Sequence, residues 1–281
     1  MVSVSAGRAP PWELLPRYGA AMGQPSDEWP NAERITGNRG GRQVIPRPAS
    51  AHPGASAPWA GLPPQRREGI TIDRVRRCVA DRPPRPAAAP PPAGSTSPGA
   101  ASAVLVAMFE EAGEARVLLT RRAAHLRSHR GEVSFPGGRI DPGESPEAAA
   151  RREAWEEVGL DPASVELVGR LDMLTTLSSG SLITPVIGFL AGRPVLHVNP
   201  DEVEHGFDVA LAELAAPETF REERWALAEP GVPPHLAPPH LAPPSGPDGS
   251  FPVWFFELPA DTVWGATARV LVELLRLVLA V

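Results

Sequence analysis

Acid and glycine recur at fixed intervals in the middle of this chain, in the stretch Leu118–Leu160, LLTRRAAHLRSHRGEVSFPGGRIDPGESPEAAARREAWEEVGL. Gly138 is followed after five residues by Glu144, and after seven more by Arg152, Glu153, Ala154, Trp155, Glu156, Glu157, Val158, Gly159 and Leu160. This spacing constrains the local fold tightly. Ser145, Pro146 and Glu147 supply an N-cap hydroxyl, a proline at the first helical position and an acid in the first turn, so a helix starts there. Gly159 ends it. At roughly 100° per residue, Glu153, Glu156 and Glu157 fall within an arc of about 100°, so three carboxylates share one face. Ala154, Trp155 and Val158 are left to pack inward, and Glu144, in the loop before the helix, can turn to the acidic face.

Four carboxylates crowded together repel one another and raise their own pKa values unless a cation sits among them. Hard divalent ions such as Mg²⁺ or Mn²⁺ take oxygen ligands, and commonly combine a few carboxylates with water and substrate phosphate. The alternative is a solvated acidic face balanced by Arg151 and Arg152 through i,i+4 pairs. The glycine, the loop glutamate and the arginine at fixed offsets favour half of a metal–diphosphate complex over that alternative.

These residues carry a resemblance. Gly138–Leu160 resembles the Nudix box, G-x5-E-x7-R-E-U-x-E-E-x-G-U with U aliphatic. Every charged and glycine position matches, and Ala154 is smaller than the usual aliphatic residue. Upstream, Leu118, Leu119, Thr120, Arg122, Ala123, Arg127, Gly131, Phe135, Pro136, Gly137 and Gly138 are similar, without a gap, to the LLTxR[SA]xxxRxxxGxxxFPGG signature of the Nudix subfamily that hydrolyses coenzyme A. The resemblance is good over roughly residues 100–200 and looser towards the C-terminus.

It implies an α/β Nudix fold, a mixed β-sheet sandwiched between α-helices. It further implies hydrolysis of the diphosphate bond of coenzyme A or acyl-coenzyme A to 3′,5′-ADP and a 4′-phosphopantetheine product. By the same resemblance Glu153, Glu156 and Glu157 ligate Mg²⁺ or Mn²⁺, with Glu156 as a further ligand or as the base that orients water. Arg152 holds the glutamates in position, Glu144 supports them, and Arg122, Arg127, Gly137 and Gly138 bind substrate. The fold also commonly supplies an outlying acid, for which Glu202 and Glu204 are the candidates. Two other readings remain: a Nudix hydrolase of ADP-ribose, a dinucleotide or a nucleoside triphosphate, and a non-catalytic nucleotide-binding module.

The 36 prolines and 26 glycines are unevenly spread. Residues 1–65 are rich in Pro, Gly, Ala, Ser and Arg with no sustained apolar period, so they read as a disordered extension. Residues 66–100 read as a short amphipathic helix over Arg67–Arg82, striped by Ile70, Val75 and Val79, and then a Pro-rich linker from Pro83 to Pro98. The Nudix domain is expected over 101–281. Its strands are expected at residues 103–109 and 116–120, Val165–Leu174, Leu182–Leu190 and Phe251–Leu258, with an amphipathic segment through Leu211 and Leu214 and a closing helix. Polar residues 175–180 form a loop that could meet substrate. The repeat PPHLAPPHLAPP at 233–244 reads as an exposed insertion whose histidines lack partners for a metal.

Net charge is −6 and lysine is absent, yet Arg121, Arg122, His125, Arg127, His129 and Arg130 cluster. A local basic patch on an acidic chain suits a small polyanion rather than nucleic acid, and arginine offers planar donors for phosphate. The lone Cys78 excludes an internal disulfide framework and fits a reducing compartment. No stretch reads as a membrane segment or targeting signal, so the cytoplasm is the expected location, and a homodimer is admitted.

Overall fold

Residues 103–109, AVLVAMF, lack polar alternation, the mark of a strand covered on both faces. They form the centre of the structure. The computed structural model describes residues 47–80, 101–126, 128–176, 181–226 and 250–281, together with Gly41, Gln43 and Ile45. In chain order its elements are β1 (His52–Pro53), α1 (Pro64–Arg67), α2 (Ile72–Ala80), β2 (Ala101–Glu111), β3 (Glu114–Arg122), β4 (Val133–Ser134), β5 (Gly137–Arg139) and α3 (Pro146–Val158). There follow a 3-10 turn (Pro162–Ser164), β6 (Glu166–Arg170), β7 (Leu174–Thr175), β8 (Leu182–Phe189), β9 (Val203–Ala210), α4 (Leu211–Leu214), β10 (Phe220–Ala226), β11 (Ser250–Glu257), β12 (Thr262–Trp264) and α5 (Gly265–Leu279).

The larger sheet runs β4-β3-β2-β8-β6, with β5 added to β2, β7 to β8 and β9 to β3. It is mixed: β2 and β8 are parallel, and the other pairings are antiparallel. Alternation along β2 sends Ala103, Leu105, Ala107 and Phe109 to the side of α3, where they meet Ala149, Ala150, Ala154 and Val158. Val106 and Met108 go to the other side and join Val75 and Val79 of α2 and the apolar stripe of α5. The sheet is thus sandwiched between helices, as the resemblance implies.

A second, antiparallel sheet, β1-β10-β11-β12, was not foreseen. Residues 47–65, expected to lie within the extension, contribute to it. β1 pairs with Glu223 and Arg224 of β10, and fully buried Trp59 sits 5.3 Å from the Phe220 ring and 6.4 Å from that of Phe256. Two paired residues and one tryptophan leave no periodic trace in a Pro-rich stretch. The helix expected over Arg67–Arg82 is present at Ile72–Ala80, with Ile70, Val75 and Val79 buried.

β9 and β10 were also missed, because each buries an acid where a strand pattern calls for apolar side chains. Asp208 of β9 is held by Arg116 and Arg193, and Glu223 of β10 by Arg47 and Arg221. The amphipathic segment expected at Leu211 and Leu214 shrinks to the four-residue α4. The Pro-rich linker and the 233–244 repeat lie outside the described residues, as do 177–180 of the expected substrate loop and most of the extension. No helix among the described residues is long and apolar enough to cross a membrane.

Candidate active site

The helix α3 is delimited as its sequence dictates. Ser145 Oγ accepts a hydrogen bond from the Ala148 N–H at 3.1 Å, Pro146 opens the first turn, and Gly159 caps the end in the left-handed region at φ 68°. Ala154 and Val158 face the sheet, but Trp155 is half-buried instead of fully packed. The small Ala154 lets α3 lie close to β2.

Glu157 is carried to the inside with them. Its residue is 2% exposed, its Oε2 accepts the Gly137 N–H at 3.1 Å, and its Oε1 lies 3.7 Å from Arg122 Nη1. Burial pushes its carboxyl up to about 8, against the opposing pull of the Gly137 N–H and Arg122; Glu153 and Glu202 add to the rise. Glu153 is likewise raised, mainly by burial, against the pull of Arg152 and with further push from Glu156 and Glu202.

Arg152 is the hub of the acidic face. Its Nε and Nη2 donate to the two oxygens of Glu144, each at 3.0 Å, in the two-pronged geometry that guanidinium favours. Its Nη1 donates to Glu153 at 2.9 Å and Glu156 at 3.1 Å, and Nη2 also reaches the Arg139 carbonyl at 2.9 Å. Its hydrogen bonds to Glu144 and Glu153 hold the guanidinium well above its ordinary range. Burial pushes Glu144 up, but Arg152 and the Asp141 N–H outweigh it and hold its carboxyl below the usual value.

The two glycines expected to approach substrate are also packed tightly against the protein itself. A Cβ on Gly138 would lie 2.4 Å from the Glu153 carboxyl carbon, and one on Gly137 2.4 Å from the Ala103 carbonyl oxygen. They make room for a site carboxylate and for strand β2, and the Gly137 N–H binds Glu157. Arg122, at the end of β3, points its guanidinium at Glu157, and its Nε is enclosed with no acceptor among the described residues. Arg127 lies outside the described residues.

The two outlying acids separate. The Glu202 carbonyl accepts from the Ala123 N–H at 2.9 Å, and its side chain is felt by both Glu153 and Glu157. Glu204 instead faces Arg121 at 3.3 Å and is largely exposed. Sequence reasoning missed what brings Glu202 in: the Asn199 N–H donates to the Glu157 carbonyl at 2.8 Å and the His197 N–H to that of Val158 at 2.9 Å, stitching this segment to the end of α3. Backbone bonds of this kind leave no side-chain signature.

Among the described residues no three His, Cys, Asp or Glu side chains form a ready metal cage. Arg152 draws Glu144, Glu153 and Glu156 to itself, and a hard ion draws further ligands from water and phosphate. The donor set fits such an ion: it is all oxygen, and it holds a buried carboxyl that proximity to Glu153 and Glu202 pushes towards protonation. A cation among them reverses that push.

A family model described as the NUDIX domain matches residues 99–228. The uncharacterized Nudix hydrolase NudL of Photorhabdus laumondii is 36% identical over 159 residues, which cover 56% of this chain and 74% of that protein. The chain belongs to the Nudix family. Nudix hydrolase 3 of Caenorhabditis elegans is 44% identical over 117 residues, 41% of this chain and 49% of that protein, so the match spans about half the relative's length. Among solved structures, a MutT/nudix family protein from Enterococcus faecalis superposes with a TM-score of 0.40 at 14% identity, covering 65% of this chain and 62% of that one. A likeness of that size carries no information on substrate.

Proposed function

We propose that this Nudix chain is a divalent-metal-dependent hydrolase that cleaves the diphosphate of coenzyme A or acyl-coenzyme A, giving 3′,5′-ADP and 4′-phosphopantetheine or its acyl form. One observation carries the reading. The segment Leu118–Gly138, similar to the coenzyme A subfamily signature, runs without a gap into the box, and its Arg122 and Gly137 both engage Glu157.

The barrier to diphosphate hydrolysis comes largely from charge on the phosphates, so the site must neutralise that charge and aim a water. Glu153, Glu156 and Glu157, with Glu202 beside them, would hold Mg²⁺ or Mn²⁺, which when bound offsets phosphate charge. Arg122, whose guanidinium lies beside Glu157, would offer its planar donors to a phosphate oxygen. The water oxygen bonds to one phosphorus as that phosphorus releases the bridging oxygen, which leaves with the other phosphate. The proton lost by the water passes to a carboxylate, with Glu156, the most exposed of the set, assigned to accept it and return it to solvent. Arg152 acts through the glutamates as a positioning residue.

Mass spectrometry of purified protein incubated with coenzyme A, ADP-ribose, a dinucleotide and a nucleoside triphosphate, each with Mg²⁺ and with Mn²⁺, tests the assignment. Preferential release of 3′,5′-ADP from coenzyme A is expected. Faster cleavage of another diphosphate overturns the substrate, and no cleavage of any overturns the reaction.

A further inference from the structure

Arg269 lies in the second turn of α5, which covers the face of the large sheet opposite α3. Burial pulls its guanidinium below its ordinary range, with Glu273, one turn on, opposing. Yet Arg269 forms no ion pair among the described residues. Nη1 donates to the Thr175 carbonyl at 3.0 Å, while Glu273 Oε1 accepts from the Asp172 N–H at 2.9 Å. Among the described residues its remaining N–H groups have no hydrogen-bond partner, and the residue is only part-buried. A part-buried cation satisfied by one neutral carbonyl costs stability, a cost that an anion beside it offsets.

Its position says which anion. Thr175 pairs with Leu182 on β8, Leu182 with Ala101 on β2, and the Ala101 carbonyl accepts from the Ile140 N–H directly after β5. Three strand spacings, about 14 Å, therefore separate Thr175 from the strand that carries Gly137 and Gly138. At the same end of the sheet Thr267 Oγ1, half a turn before Arg269, donates at 3.0 Å to the carbonyl of Val133, which pairs with Arg121 beside Arg122. Arg269 thus lies at the site's end of the sheet, within reach of a substrate that extends past the diphosphate.

We infer that Arg269 binds a phosphate monoester carried by the substrate outside the diphosphate that is cleaved. The inference rests on the diphosphate-hydrolase reading, and under the coenzyme A assignment the group is the ribose 3′-phosphate. Arg269 is then a specificity-determining residue, remote from the bond that breaks, and its planar fork suits a phosphate dianion.

Calorimetric titration of the full chain with 3′,5′-ADP and with 5′-AMP, both with Mg²⁺, tests this without turnover. The wild type is expected to bind the bisphosphate about 10- to 100-fold more tightly, the span of one charge-assisted contact. R269Q should lose that preference, and R269K, which keeps the charge but not the fork, should retain part of it. Equal binding of the two nucleotides by the wild type, or an undiminished preference in R269Q, overturns the inference. If R269Q does not fold, an undiminished preference in R269K does the same. The two readings fail separately: a protein that discriminates but leaves coenzyme A intact refutes the reaction alone, and one that cleaves coenzyme A without discriminating refutes the role of Arg269 alone.

Discussion

Replacing Arg152 with Gln removes the group that binds Glu144, Glu153, Glu156 and the Arg139 carbonyl at once. Stripping one partner from a buried ion pair costs about 3–5 kcal/mol, because the other charge is left uncompensated. Here the side chains of Arg152, Glu144 and Glu153 are 13%, 11% and 15% exposed. That access to water trims the cost to roughly 2–4 kcal/mol. Glu156, at 43% exposure, rehydrates and adds little. For a chain of this size such a loss lowers Tm by about 5–15 °C. Activity falls further than stability, since Glu153 no longer has a fixed position. Calorimetric unfolding and metal-dependent phosphate release should be measured on R152Q and on R152Q/E144Q. The double variant should regain part of the lost Tm, because the stranded Glu144 charge is gone, without regaining activity. An R152Q protein with unchanged Tm and turnover would refute the positioning role.

Four further outcomes are expected. Glu157→Gln should leave Tm near that of the wild type at pH 7, since the amide mimics the protonated acid held there, while metal-dependent turnover falls by several orders of magnitude in a phosphate-release assay. Without metal, the native state keeps the Glu157 proton that the unfolded chain releases between pH 4.5 and about 8; stability measured by urea unfolding should therefore fall as pH rises through that window, and added Mg²⁺ should offset the fall. Gly138→Ala places a Cβ 2.4 Å from the Glu153 carboxyl carbon, so activity should drop with only about 1–3 kcal/mol of destabilisation, read from paired kinetics and unfolding. Glu202→Gln should reduce turnover by about 10- to 100-fold in the same assay, as for a group that supports metal-holding carboxylates, while Glu204→Gln stays within about twofold.

The box was legible because its chemistry is local. Ser145, Pro146 and Gly159 delimit α3 by capping alone, and the 3.6-residue period then puts Glu153, Glu156 and Glu157 on one side. The central strands were legible because Ala103–Phe109 is apolar throughout and Leu182–Phe189 carries Thr184 as its one polar side chain. Where long-range contacts decide, the sequence is silent. Trp59 is buried by Phe220 and Phe256, which lie more than a hundred residues away, and β9 and β10 carry acids that only distant arginines make tolerable. What Gly137 and Gly138 pack against was hidden for the same reason. Glycine signals close approach, but whether to a ligand or to Ala103 and Glu153 depends on what the fold places there.

The most direct test of the account is incubation of the purified chain with coenzyme A in ¹⁸O-labelled water, with Mg²⁺ or with a chelator, followed by mass spectrometry. The account predicts 3′,5′-ADP and 4′-phosphopantetheine in equal amounts, one ¹⁸O atom in one of the two, and neither product once the metal is chelated. Intact coenzyme A in the presence of Mg²⁺ and of Mn²⁺, or unlabelled products, would contradict it.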